Sequence, residues 1–159
     1  LIKHCFNMNK ETLLLSLQDP VKDKQKSDYF QTAIQARVEG KPLDLIIGKA
    51  NFLGREYHVQ PGVLIPRPET EFLALEAVKV ASTFKQPFCG IELGVGTGIL
   101  SLHCASTFPR SQFFGWDWSQ KAIECAEKNK TQYYKALRST QKTFSGTPNY
   151  LPWLEFFFC

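Results

Sequence analysis

The stretch Glu92-Leu93-Gly94-Val95-Gly96-Thr97-Gly98 constrains this chain more than any other seven residues. It follows the short apolar run FCGIEL and precedes ILSLHCAST, whose spacing predicts a helix closed by Pro109. Glycines at alternate positions let a chain turn sharply out of a strand and approach a ligand without Cβ clashes. The helix that follows aims free N–H groups into the loop. SQFFGWD then reads as a second strand ending in Asp117, and SQKAIECAEKNK as a second helix with Ser119 as its N-cap. Strand, glycine loop, helix, strand, acid, helix is the opening of a doubly wound α/β sheet.

The loop also narrows the ligand. A dinucleotide fingerprint needs G-x-G-x-x-G, but counting from Gly94 the sixth position is Ile99, and from Gly96 it is Ser101. The pattern acid-x-G-x-G-x-G suits a ligand without a pyrophosphate. Glu92 at the strand end faces a cationic group such as the amino group of a methionine moiety. Asp117, 19 residues after Gly98, stands where a carboxylate accepts both hydroxyls of a ribose. Together these features indicate S-adenosyl-L-methionine as cofactor. The bland alternative is an ordinary turn with Glu92 and Asp117 as strand-end caps, and a nicotinamide-dependent oxidoreductase is the more distant rival.

The flanking segments differ in character. ETLLLSL and YFQTAIQARV carry helical spacing on either side of the polar DPVKDKQKSD, with Asp28 as a cap and Gly40 and Pro42 as the stop. LDLIIG, REYHV and VLIP read as a short hairpin or meander. Thr70 is a candidate N-cap for a helix whose face is marked by Phe72, Leu75 and Val78, with Glu71 in its first turn. Arg67 and Glu69 are pinned between and beside prolines in IPRPETE and suit either a wall over a pocket or a plain surface turn. The expected divisions are a helical module at 1–42, a β-hairpin linker at 43–65, an α/β start at 66–130 and an aromatic tail at 131–159. That tail has only 4 charges in 29 residues yet 8 of the chain's 21 aromatics, an abrupt change of composition.

Composition excludes other classes. Of 159 residues, 43% are hydrophobic and 21% charged, as in a globular protein, and no apolar run has the length a membrane helix needs. The first ten residues lack a secretory h-region. Five cysteines with no CxxC pair argue against a disulfide framework or a zinc site and for a reducing cytoplasm. The net charge of +4 is spread thinly, with 9 basic and 7 acidic groups in residues 1–65 and 7 of each in 66–130, so no basic stripe points to nucleic acid. His58 and His103 have no second ligand at metal spacing, and Cys104 and Cys125 read as small core residues.

Residues GKPLDLIIGKANFLGREYHVQPGVLIPRPETE, IELGVGTGILSL and GWDWSQKAIECAEKN together resemble the PrmC/HemK family of release-factor glutamine N5-methyltransferases. The likeness spans about residues 28–130, more loosely 10–27. It implies an incomplete class I, Rossmann-like S-adenosylmethionine methyltransferase domain, preceded by a small helical N-terminal domain and a β-hairpin linker. The implied reaction is cytoplasmic methylation of the glutamine amide in the Gly-Gly-Gln motif of peptide chain release factors. The enzyme is expected to be a monomer without a membrane or direct nucleic-acid partner. Carried over, Gly94, Val95, Gly96, Thr97 and Gly98 line the cofactor, Glu92 and Asp117 bind it, and Arg67 and Glu69 lie near the substrate. No residue carries over as catalytic, because the family's substrate clamp Asn-Pro-Pro-Tyr is missing; the nearest string is Thr147-Pro148-Asn149-Tyr150. The resemblance therefore predicts a truncated or frame-disrupted chain with little activity and an apolar sheet edge left bare. A class I nucleic-acid amino-methyltransferase and a non-catalytic release-factor-binding remnant are the alternatives.

Overall fold

A computed structural model describes residues 1–134 and 144–146 of the chain. Two compact units divide between Ala50 and Asn51. The first unit is helical. Helices α1 (Ile2–Phe6), α2 (Lys10–Leu15), α3 (Lys24–Val38) and α4 (Leu43–Ile47) follow one another in sequence. Cys5 and Ala33 are buried, and Phe6 meets Phe30 edge-on at 5.8 Å between ring centres.

Two local expectations change here. Asp28 lies inside α3, and Asp23 is the cap, its carboxylate accepting the Lys26 N–H at 3.0 Å. The helix thus starts a turn earlier than the apolar spacing suggests, because a cap is polar and leaves no trace in that spacing. LDLIIG forms α4 rather than a strand. Asp44 sits in its first turn, and Gly48, at φ +76°, ends it by donating its N–H to the Asp44 carbonyl at 2.7 Å. An apolar run this short has no decisive period, so the flanking Pro42 and Gly48 decide.

The hairpin strands are β1 (Lys49–Phe52) and β2 (Arg55–His58), while VLIP is irregular. In the second unit α5 (Glu69–Ala81) leads to β3 (Cys89–Leu93), α6 (Ile99–Thr107), β4 (Gln112–Asp117), α7 (Gln120–Tyr134) and β5 (Phe144–Gly146). The sheet order is β3-β4-β5 and all pairs are parallel, with Cys89 opposite Gln112 and Leu93 opposite Trp116. This mixed α/β arrangement has the Rossmann-like order read from the sequence.

The core holds the loop from beneath. Phe52, Tyr57, Ala74, Ile99 and Leu102 form one buried cluster, and Cys104, Ala105, Phe108 and Phe113 another. Cys104 and Cys125 are buried as expected. Helix α5 starts at Glu69, after Pro68, with no side-chain cap, so Thr70 lies inside its first turn. Its buried face is Ala74, with Ala77, Val78 and Ala81 packed against Phe113 and its neighbours. Phe72 and Leu75 are exposed instead, since only the small side chains permit close approach. On β3, Ile91 and Leu93 are 56% and 64% exposed, an apolar strand face left bare among the described residues. Residues 135–143 and 147–159, which include most of the aromatic tail and the Thr147–Tyr150 string, lie outside the described residues.

Candidate functional site

The loop between β3 and α6 is built by three glycines in the left-handed region, Gly94 at φ +75°, Gly96 at +52° and Gly98 at +78°. The first two face different surroundings from the third. A Cβ on Gly94 would meet open space, whereas one on Gly98 would come within 3.0 Å of the Ala126 Cβ. Gly98 is therefore needed for packing of the α6 start against α7, and Gly94 for keeping the loop's outer surface free. Thr97 and Val95 are buried, the latter against Ile123 and Ala126.

The loop is tied to the tip of β4. The Trp116 carbonyl accepts the N–H groups of Gly94 and Val95 at 2.8 and 2.9 Å. Asp117 Oδ2 accepts the Gly96 N–H at 2.9 Å, and its Oδ1 accepts the Ser119 N–H at 2.8 Å. Each carboxylate oxygen keeps a further lone pair for an outside donor.

Glu92, at the end of β3, is held differently. Its Oε2 accepts both the N–H and the hydroxyl of Ser101, at 2.9 and 2.5 Å. Burial pushes its carboxyl up to about 7, opposed by the Ser101 bonds and reinforced by the Asp117 charge.

A cavity of about 330 Å³ joins these parts, lined by Glu92, Gly94 to Thr97, Asp117 and Ser119. Arg67, Thr70, Val63 and Leu64 also line it. Of the residues singled out in the sequence, Glu92, Gly94, Val95, Gly96, Thr97, Asp117 and Arg67 thus meet around one space. Gly98 and Glu69 lie outside the lining, Glu69 exposed at the start of α5. The cavity combines a cationic side chain, two carboxylates and backbone N–H groups. That combination fits a small ligand carrying charges of both signs and hydroxyls.

Sequence reading missed Asn129, which is fully buried. Its Oδ1 accepts the His58 N–H at 2.7 Å, and its Nδ2 donates to the carbonyls of His58 and Thr97, each at 2.9 Å. It fastens β2 to the glycine loop through α7. The signal was present, because Ala122, Cys125, Ala126 and Asn129 recur at helical spacing and place an amide within an apolar stripe. Ser101 and Glu71 were also missed as partners; Glu71 Oε1 accepts the Leu53 N–H at 2.8 Å. His58 bonds Gln60, and among the described residues no group of His, Cys, Asp and Glu has the arrangement of a metal site. No helix among the described residues is long and apolar enough to cross a membrane.

A parallel strand–glycine loop–helix–strand unit with an acid at each strand tip is the opening of a doubly wound α/β domain. Comparison with known proteins then shows what the chain is similar to. Residues 1–48 match the PrmC N-terminal domain model. The release factor glutamine methyltransferase of Burkholderia pseudomallei is 31% identical over 130 residues, covering 81% of this chain and 45% of that protein. Its counterpart in Thermodesulfovibrio yellowstonii is 33% identical over 129 residues, covering 79% and 46%. The Koribacter versatilis protein of the same name is 37% identical over 100 residues, covering 63% and 35%. The chain is related to the release factor glutamine methyltransferases, and it spans less than half the length of these relatives. Among solved structures, the Pyrococcus abyssi tRNA (uracil-54, C5)-methyltransferase in complex with S-adenosyl-L-homocysteine aligns with a TM-score of 0.45 at 17% identity. That alignment covers 63% of this chain and 23% of that one.

Proposed function

We propose that this chain carries the S-adenosyl-L-methionine-binding part of a release factor glutamine methyltransferase. The observation that carries the reading is the convergence of Arg67, Glu92, Gly94, Gly96 and Asp117 on one cavity. In this reading Asp117 accepts the ribose hydroxyls through its free lone pairs. Glu92 faces the amino group of the methionine moiety, and Arg67 lines the same cavity. The glycine loop admits the ligand close to its backbone, with Val95, Thr97 and Gly98 holding the loop in place. When bound, the cofactor supplies an electrophilic methyl group. The chain's own contribution is to hold it in a fixed orientation, which is where most of the acceleration of an in-line transfer arises. The acceptor is the glutamine side-chain amide of the Gly-Gly-Gln motif in a peptide chain release factor, with residues 1–42 as the docking module and Arg67 and Glu69 near the acceptor. Charge spread supports a protein rather than a nucleic-acid acceptor, since the chain has no basic stripe. The relatives' names point to the same acceptor.

Calorimetric titration of the chain with S-adenosyl-L-methionine tests the cofactor, and transfer of labelled methyl to a release factor tests the acceptor. Saturable binding at one site is expected. Binding of NAD in preference to S-adenosyl-L-methionine would overturn the assignment.

A further inference from the structure

Strand β3 has β4 on one side and, among the described residues, no strand on the other. Its backbone groups divide between the two sides. The Phe88 carbonyl accepts the Gln112 N–H at 3.0 Å, and the Gly94 N–H donates to the Trp116 carbonyl at 2.8 Å. Phe88, Gly90, Glu92 and Gly94 thus turn their peptide groups toward β4, and the alternate residues Cys89, Ile91 and Leu93 turn theirs to the open edge. The side chains of those same three residues are exposed, on the sheet face that Phe114 and Trp116 share. Nothing in the strand guards this edge against pairing. Cys89–Leu93 contains no proline or lysine, and its one acid, Glu92, is turned to the covered face by its bonds to Ser101.

We propose that β3 is an interface between two copies of this chain, paired antiparallel about a two-fold axis at Ile91. The register follows from the groups on offer. An axis at Ile91 sets that residue against its own copy and Cys89 against Leu93, so every open N–H meets an open carbonyl. An axis at Gly90 would set Leu93 against Pro87, which has no N–H. An axis at Glu92 would set Cys89 against Val95, whose N–H is already given to the Trp116 carbonyl. A second copy is therefore a strand that this edge matches without remainder. The same pairing closes an apolar groove of about 700 Å³ between α5 and β3, lined by Val80, Phe84, Phe88 and Ile91. Val80 and Phe84 are exposed there, and the two-fold lays one groove beside the other. A closed pair replaces the single copy that the family resemblance implies.

Sedimentation of the full chain over a wide range of concentrations tests the pairing, beside the variants Ile91→Lys and Ile91→Glu. Ile91 is exposed, so both variants are expected to keep the unaltered chain's circular dichroism. The unaltered chain is expected to reach a dimer and no larger species, because a two-fold contact closes on itself. Each variant alone sets like charges against each other on the axis, and its dimer is expected to dissociate roughly tenfold more readily or worse. An equimolar mixture of the two variants sets opposite charges there and is expected to recover the dimer. A single copy at every concentration overturns the proposal and leaves the edge to another segment of polypeptide. A dimer that persists undiminished in Ile91→Lys overturns it too, since the contact then lies elsewhere. Variants that stay apart when mixed, or an unaltered chain that grows beyond two copies, overturn the two-fold at Ile91.

Discussion

The carboxylate of Asp117 accepts the backbone N–H of Gly96 at 2.9 Å, so the acid at the tip of one strand holds the middle of the loop that leaves the next. In the proposed cofactor site, the residue that would reach the ligand therefore also shapes the ligand's seat. Replacing it acts on both.

Asp117→Ala strips acceptors from the Gly96 and Ser119 N–H groups. Loss of charge-assisted bonds of this kind costs on the order of 1–3 kcal/mol, less where water replaces the carboxylate. Chemical denaturation is expected to show that loss. S-adenosyl-L-methionine affinity is expected to fall at least tenfold. Asp117→Asn, which keeps one acceptor, is expected to fall between. Unchanged affinity in the alanine variant would remove Asp117 from the site.

Asn129→Ala is expected to be the most destabilising single change in α7. It leaves the His58 N–H, the His58 carbonyl and the Thr97 carbonyl without their partner. Unsatisfied buried groups cost roughly 1–3 kcal/mol each, and partial rehydration keeps the total below the sum, at about 2–4 kcal/mol. Asn129→Asp is expected to be no better, since it loses both donated bonds and sets a carboxylate against two carbonyl oxygens. A midpoint of urea denaturation within experimental error of the unaltered chain would contradict this account.

The contrast between Asp117 and Asn129 shows what the sequence makes legible. The place of Asp117 at a strand tip beside the loop is readable because it is fixed by spacing from a glycine loop, and the loop by its position between strand and helix. Asn129 is set by tertiary contact with β2, 71 residues away, and no local pattern records that distance. The same division runs through the fold. The strands ending in Glu92 and Asp117 and the helices after them follow from short-range signals, whereas the helix at Leu43–Ile47 hinged on its flanking Pro42 and Gly48. Phe72 and Leu75 look like core residues by type and spacing, yet Ala74 and Ala77 occupy the buried face. Periodicity identifies a helix but not which of its apolar rows will face inward.

Two glycines of the loop are expected to respond differently to the same substitution. Gly98→Ala places a Cβ at 3.0 Å from that of Ala126 at φ +78°, so strain and overpacking add, and stability is expected to fall by about 2–3 kcal/mol. Gly94→Ala meets open space and pays only for its φ of +75°, about 1 kcal/mol. Its methyl group would instead intrude on the cavity, so affinity for S-adenosyl-L-methionine is expected to fall more than stability does. Thermal denaturation beside a binding titration separates the two. Equal stability losses would show that the loop's packing is not as described.

Glu92 ties stability and binding to pH in opposite directions. Its folded carboxyl is raised from 4.5 to about 7, so the folded state holds a proton that the unfolded chain releases. Relative to Glu92→Gln, the unaltered chain is expected to lose stability as pH rises from about 4.5 through 7, by at most about 3 kcal/mol. If the carboxylate faces the ligand's ammonium group, affinity is expected to rise over the upper part of the same interval and to level off above it. Glu92→Gln should flatten both profiles, because the amide still accepts from Ser101 but cannot ionise. Ser101→Ala removes a hydroxyl that favours the charged form, and the affinity midpoint is expected to move to higher pH. A binding profile that keeps its slope in Glu92→Gln would assign the titration to another group and release Glu92 from the ligand.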